Sequence, residues 1–396
     1  MKKYLRKLVI KVLWLQVARL RKAHNPVVIA VAGSIGKTGT KTAIATVLSE
    51  QMTVRWQDGN YNDITSVPLV FFGQHMPSFW NPFAWLRLFL GNEMQIRGSY
   101  KYRVVVVELG SDKPGDINEF KQYFKADYGV LTAISAEHME NFADLDAVAR
   151  EELGIAKLSR TVIVDADAVA VKYRSLIDSP LIIGEGPYDC RITSRQLNSK
   201  LRRPVIFTLK NGESYQLDAK VLGKHGLPAL AAAVVLASKM ELTKSEILAG
   251  LEKIKAIPGR MQPLMGQKKS LIIDDTYNAN PDSVKAALAA IQNLPQPHWF
   301  IFADLKELGE HELEFHREIG EAANLSGVEH LITVGKLAKH AAQFFTGDKI
   351  NFENNADVVK YCLSCLPPKA TLLIKGSNSM NLAEVASQLT ALKTTL

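Results

Sequence analysis

Cysteine is scarce in this chain of 396 residues, which carries Cys190, Cys362 and Cys365 and no others. They supply neither the paired sets of a metal site nor a secreted disulfide framework, and the Cys362/Cys365 pair has no second half, so a reducing cytoplasm is expected. Also missing is an apolar run long enough to span a bilayer. The nearest approach, at the N-terminus, is short, interrupted by basic residues and without a signal peptide's small-residue cleavage site. There is no internal repeat and no low-complexity linker. With 47% hydrophobic and 22% charged residues, what remains is a globular chain of two or three domains.

Acidic residues are absent before position 25, whereas Lys2, Lys3, Arg6, Lys7, Lys11, Arg19, Arg21 and Lys22 all fall there. The net charge of +8 therefore belongs to that segment, and the rest balances 40 basic against 40 acidic residues. A neutral body with a basic end argues against a nucleic-acid binder, which carries its basic face on the folded domain. On a helical wheel Lys3, Lys7, Lys11, Arg21 and Lys22 share one face. Leu5, Leu8, Val9, Val12, Leu13, Leu15 and Leu20 lie largely opposite, which predicts a basic amphipathic helix over residues 1–24. Two placements use such an apolar face equally. Residues 2–22 lie on the anionic inner membrane, where each basic residue contributes roughly 1 kcal/mol, or the helix docks on its own domain.

The most informative stretch is Val28-Ile29-Ala30-Val31-Ala32 followed by Gly33-Ser34-Ile35-Gly36-Lys37-Thr38-Gly39. An apolar strand runs into a glycine-containing turn and then into the helix-forming Thr42 to Leu48, the context required of a phosphate-binding loop. Glycines let backbone N–H groups converge on a polyphosphate, Lys37 supplies a point charge, and Thr38 offers a hydroxyl to Mg2+ at a helix N-terminus. The strict spacing wants glycine where this chain has Val31, so the match is to the shorter Gly-x-x-Gly-Lys-Thr form.

From Val28 to about Ala168 apolar strands alternate with helical segments, which predicts a mostly parallel sheet covered by helices. Met76 to Phe89, with Trp80, Trp85, Pro77 and Pro82, reads as an aromatic, irregular insertion serving as a lid or as packing. Cys190 to Val221 reads as short strands, and Leu227 to Met240 and Thr243 to Ile254 as helices. Ile257-Pro258-Gly259-Arg260 is the expected hinge. A second alternation beyond Lys268 predicts a smaller α/β domain.

Glu108 and His138 each follow an apolar strand, at the edge where α/β sheets bind ligands. A metal-ligand role suits Glu108, although a lone His is more often structural. Asp275-Thr276-Tyr277-Asn278-Ala279-Asn280-Pro281-Asp282 ends the second domain's first strand and suits ribose and base recognition or helix capping.

Taken with Gly59-Asn60-Tyr61-Asn62, Glu108-Leu109-Gly110, His138-Met139-Glu140-Asn141-Phe142, Pro258-Gly259-Arg260, Asp304-Leu305-Lys306-Glu307-Leu308-Gly309 and Lys375-Gly376-Ser377, in this order, the chain resembles the Mur ligase family. It is most similar to the branch that adds D-alanyl-D-alanine. The resemblance implies a central P-loop-type ATPase domain over 25–261 and a C-terminal Rossmann-like α/β domain over 262–396. It also implies ATP and Mg2+ as cofactors, with phosphorylation of a carboxylate and attack on the acyl phosphate by the amine of an amino acid or dipeptide. Lys37, Glu108, His138 and Arg260 then serve catalysis. Gly33, Ser34, Ile35, Gly36, Lys37, Thr38, Gly39, Arg260, Asp275 and Asn278 hold the nucleotide, and Asn60, Asn62, Lys375 and Ser377 the substrates; of the metal ligands, Thr38 and Glu108 hold one Mg2+ and His138 helps hold a second, which Glu152 reaches through water if that ion binds at all. A cytoplasmic monomer is expected.

Three departures accompany it. Only the basic helix stands before the ATPase core, where the family has a domain for the uridine nucleotide, so a membrane-bound or otherwise carried acceptor becomes an option. Glu152 occupies the place of a carbamylated lysine found in many members. The family's His-Asn-x-x-Asn reads His225-Gly226-Leu227-Pro228-Ala229, and the arginine after Lys-Gly-Ser is Asn378. Alternatives left open are the same chemistry on a carboxylate outside the cell wall, or a nucleotide-binding scaffold that no longer ligates.

Overall fold

The computed structural model describes residues 2–395; Met1 and Leu396, the outermost residues of the expected domains, and the side chains of Lys2, Lys3, Leu392, Lys393, Thr394 and Thr395 lie outside the described parts. Two sheets organise the chain. The first comprises β1 (Val27–Ala32), β2 (Val54–Arg55), β3 (Val104–Glu108), β4 (Ala126–Leu131), β5 (Ser159–Asp165), β6 (Leu181–Gly184), β7 (Cys190–Ser194), β8 (Arg203–Leu209) and β9 (Ser214–Ala219). Its order is β2-β3-β1-β4-β5-β6-β7-β8-β9, parallel as far as β7 and antiparallel across β7-β8-β9. β1 lies between β3 and β4, so connections leave it in both directions and a crevice opens beyond its C-terminal end.

The strands of that sheet read as near-continuous Val and Ile because both faces are covered. Ile29, Val31, Val104 and Val106 point into one core, closed by the helices Lys37–Leu48 and Leu227–Lys239. Val28, Ala30, Val105 and Val107 point into the other. That second core is covered by the N-terminal helix α1 (Lys2–His24), whose Ile10, Trp14, Val17 and Leu20 are buried in it. Trp14 stacks with Tyr123 and Phe124, centroids 5.2 Å apart in each case, and its indole N–H donates to the Ile64 carbonyl at 2.9 Å.

The docked face differs from the predicted one. Leu5, Leu8 and Leu15 are exposed, and the buried stripe is Val9, Ile10, Leu13, Trp14, Val17 and Leu20. The aromatic segment differs too. After α2 (Lys37–Leu48) and α3 (Val67–Phe72), Pro82 opens a regular helix, α4 (Pro82–Arg97), with Asn81 accepting from the Ala84 N–H at 2.9 Å. Proline costs nothing at the first helical position, because that N–H has no intrahelical partner. α4 packs against α1 through a buried polar contact: Asn92 Nδ2 donates to Gln16 Oε1 at 2.9 Å, and Gln16 Nε2 donates to the Phe89 carbonyl at 2.9 Å. No helix among the described residues is long and apolar enough to cross a membrane.

The second sheet comprises β10 (Gln262–Gly266), β11 (Leu271–Asp275), β12 (His298–Ala303), β13 (His330–Val334), β14 (Asp348–Phe352), β15 (Thr371–Lys375) and β16 (Thr390–Thr395), ordered β14-β13-β12-β15-β11-β10-β16. Its central pairs are parallel and β10 is antiparallel to both neighbours. The C-terminal ends of β11 and β15 carry Asp275 and Lys375 toward the crevice of the first sheet. The fold is thus α/β with two mostly parallel sheets.

Candidate active site

The loop after β1 takes its shape from two glycines. Gly33 has φ +128° and a Cβ there would strike Thr132 Oγ1, while Gly36 has φ +85° and caps α2. Such conformations favour glycine. The loop is pinned from β4's side: the Ser34 N–H donates to the Ala133 carbonyl at 3.0 Å and the Ser135 N–H to Ser34 Oγ at 3.1 Å. Lys37 Nζ donates to the Gly33 carbonyl at 2.6 Å and lies 3.8 Å from Glu137. Burial alone would lower the Lys37 pKa, but Glu137, Glu152 and Glu108 outweigh it, and the net direction is upward.

Glu108 ends β3 facing this loop. Its Oε2 accepts from Thr38 Oγ1 at 3.0 Å and lies 3.1 Å from Lys41 Nζ, both side chains of that ion pair being buried. From the far side Arg260 Nη2 donates to Thr38 Oγ1 at 3.0 Å, and its guanidinium lies 4.0 Å above the Tyr277 ring. Tyr277 in turn donates to Asn60 Oδ1 at 2.8 Å. In the second sheet Lys375 Nζ donates to Asp275 Oδ2 at 2.6 Å and to the Asn278 carbonyl at 3.1 Å, and the Met261 N–H donates to Asp275 Oδ1 at 3.0 Å. Hinge, loop and second sheet thus form one connected polar wall.

These groups line one cavity of about 900 Å³, large enough for a nucleotide and a substrate. Of the residues expected there it gathers Ser34, Ile35, Gly36, Lys37, Thr38, Gly39, Asn60, Asn62, Glu108, His138, Arg260, Asp275, Asn278 and Lys375. Gly33, the first residue of the loop, is not part of the lining. Ser377, expected to touch substrate, instead accepts from the Lys306 N–H at 2.8 Å away from the lining. Glu152 is also not on the wall: it is 1% exposed, behind Ser111, whose hydroxyl donates to Glu152 Oε1 at 2.7 Å. Its Oε2 is buried without a hydrogen-bond partner, and burial pushes its carboxyl up to about 7, against the pull of Lys37 and Ser111. His138, at φ +52°, sets Nδ1 2.6 Å from the accepting carboxylate of Glu307, with Nε2 3.5 Å from Asp112.

No three His, Cys, Asp or Glu side chains among the described residues gather closely enough to form a metal cage. Thr38 and Glu108 do meet, and a hydroxyl beside one carboxylate facing a phosphate loop fits Mg2+, which keeps most of its waters and uses one or two carboxylates plus substrate phosphates.

Glu137 on the wall and Lys41 behind it, paired with Glu108, belong to the site without having a role expected from sequence. Lys41 stands four residues after Lys37, hence on the same helix face, which is the signal that could have found it. His225 lines the cavity where the family has an Asn-rich motif; burial lowers its imidazole pKa, partly opposed by Asp275.

Comparison with known proteins bears directly on this geometry. The Mur ligase middle domain matches residues 31–237, and the Mur ligase, glutamate ligase domain matches residues 259–378. The chain belongs to the Mur ligase family. As a Mur ligase it is an ATP-dependent, ADP-forming amide ligase. Its relatives include the UDP-N-acetylmuramoyl-tripeptide–D-alanyl-D-alanine ligase of Escherichia coli (strain K12), 26% identical over 91% of this chain and 76% of that one. The Bacillus subtilis (strain 168) enzyme of the same name is also 26% identical, over 91% and 75%. Among solved structures, MurF from Acinetobacter baumannii superposes with a TM-score of 0.81 at 22% identity, covering 97% of this Mur ligase and 80% of its own chain. MurF ligase from Thermotoga maritima in complex with ADP superposes at 0.77 and 21% identity, covering 98% and 83%.

Proposed function

We propose that this Mur ligase adds D-alanyl-D-alanine, or a closely similar dipeptide, to the carboxylate of a cell-wall precursor. The relatives that carry this activity in their names align over nine-tenths of the chain. ATP lies along the Gly33–Gly39 loop, with backbone N–H groups and Lys37 on its phosphates. Mg2+, held by Thr38 and Glu108, supplies charge neutralisation at the β- and γ-phosphates when bound. The acceptor carboxylate attacks the γ-phosphorus, ADP departs, and the dipeptide amine displaces phosphate from the acyl phosphate to form the amide.

Arg260 is the residue that most supports the reading. It reaches Thr38 from the hinge and lines the same cavity as Lys37, so two fixed cations are available to the phosphoryl transition state. Asp275 and Asn278 hold the nucleotide from the C-terminal domain, and domains 25–261 and 262–396 close about Pro258-Gly259. Asn60, Asn62 and Lys375 contact the substrates. The enzyme works as a cytoplasmic monomer whose residues 2–22 rest on the anionic inner membrane face.

ADP release measured with ATP, Mg2+, D-alanyl-D-alanine and a series of muropeptide carboxylates tests the reading. Stimulation only when acceptor and dipeptide are both present supports it. If ATP binds but no pair stimulates ADP formation, the chain does not ligate.

A further inference from the structure

The docking of α1 on its own domain leaves a second apolar stripe outside. Leu8 and Leu15, 58% and 60% exposed, are spaced at i and i+7 on α1, with Lys11 and Lys22 on the same face. On α4, Phe83, Leu86, Leu90 and Met94 are 82%, 55%, 57% and 75% exposed at i, i+3, i+7 and i+11. Glu93 and Gln16 join the two helices along this side, with Arg19 Nη1 2.6 Å from Glu93 and Gln16 Nε2 3.1 Å from it. The α1 residues just beyond Gln16 and Arg19 on the wheel, and the α4 residues just beyond Glu93, are the exposed ones. Both stripes therefore flank one seam and form a continuous apolar face.

We propose that this two-helix face docks on an anionic lipid bilayer, α4 inserting its apolar stripe beside that of α1. The proposal rests on the peripheral-membrane reading of residues 2–22 and extends it to α4. Charge selects this occupant. The two helices carry ten basic residues against one acid, Glu93, and Arg19 already neutralises it. A second copy meeting the face across a two-fold axis would bring like charges together, whereas an apolar stripe rimmed by Lys and Arg is the composition of an interfacial helix. Contiguous apolar patches of this kind are uncommon on monomeric surfaces without a partner. Lys11 and Lys22 on α1, and Arg87 and Arg97 on α4, reach headgroup phosphates while their stems lie along the apolar stripe.

The experiment is sedimentation of the full chain with vesicles of phosphatidylglycerol and phosphatidylcholine, or of phosphatidylcholine alone. The expected result is at least tenfold stronger partitioning to the anionic vesicles, weakening as salt rises, and a tenfold or greater loss in Leu86→Glu/Leu90→Glu. Circular dichroism and vesicle-free ADP release of that variant stay unchanged, because both side chains are more than half exposed and far from the cavity lining. Partitioning of the α4 variant equal to the unaltered chain, while Lys7→Glu/Lys11→Glu loses it, overturns the two-helix face and leaves the α1 reading standing. Absence of partitioning to either vesicle overturns both readings, and so does a concentration-dependent dimer that Leu86→Glu/Leu90→Glu abolishes. ADP release in solution reports on the ligase reading independently of all these outcomes.

Discussion

Arg260 and Thr38 stand 222 positions apart in the chain, yet Arg260 Nη2 donates to Thr38 Oγ1 at 3.0 Å. The phosphate loop is thus touched by the hinge itself, and the same guanidinium lies 4.0 Å from the centre of the Tyr277 ring. Lysine cannot reproduce both the stacking and the forked donation of guanidinium. Arg260→Lys is therefore expected to lower kcat/KM for ATP by about 10²-fold with the fold intact. Steady-state ADP release beside circular dichroism checks this; activity within a factor of two would remove Arg260 from the site.

Lys37→Ala should cost more. Its ammonium, raised in pKa by three surrounding carboxylates, is the loop's only point charge toward the phosphates. A loss of about 10³-fold in turnover is expected, while Glu108 stays paired with Lys41 and the loop keeps its backbone hydrogen bonds. Single-turnover phosphate release measures it.

Glu152 sets a pH dependence. Its carboxyl rises from 4.5 to about 7, chiefly through burial. The native state accordingly binds more protons than the unfolded chain between those values, and stability is highest near and below pH 4.5 from this group, falls across the window and levels off above 7. The loss is on the order of 3 kcal/mol. Glu152→Gln, which keeps the contact to Ser111 without the charge, should flatten the decline in thermal midpoint between pH 5 and 7. An identical pH profile in the variant would show that another group is responsible.

Trp14→Ala tests the helix as core. The side chain is 2% exposed, stacked on two aromatic rings and hydrogen-bonded through its indole. Such a truncation costs about 3–5 kcal/mol, whereas Leu15→Ala, on the exposed side, should fall within about 0.5 kcal/mol. Urea unfolding of the pair discriminates. By the same reasoning, removal of residues 2–22 strips the second core of its cover and is not a clean test of membrane contact.

The β1–loop–α2 unit was legible in sequence because everything that shapes it is local: an apolar strand, two glycines at turning points, a helix-forming run. The helix at Pro82 is less legible, because its dense aromatic residues and two prolines mask the cap and first-turn signal of Asn81 and Pro82. Periodicity groups Leu5, Leu8 and Leu15 with Val9, Leu13 and Leu20, because it reports that a face is apolar and not which of two apolar stripes meets the domain. Glu152 shows a third limit. Its spacing from His138 placed it near the site, but only tertiary packing puts Ser111 between it and the cavity.

The Gln16–Asn92 contact between α1 and α4 has a mechanical consequence. Two purely aliphatic helices slide past one another by a turn at little cost, since one leucine fits much as the next does. A buried amide pair resists such a slip, because another alignment breaks the Asn92–Gln16 and Gln16–Phe89 hydrogen bonds away from water. The pair therefore acts as a detent. It holds the first helix at a single notch, and with it the Trp14 indole on the Ile64 carbonyl, four residues from Asn60 at the cavity rim.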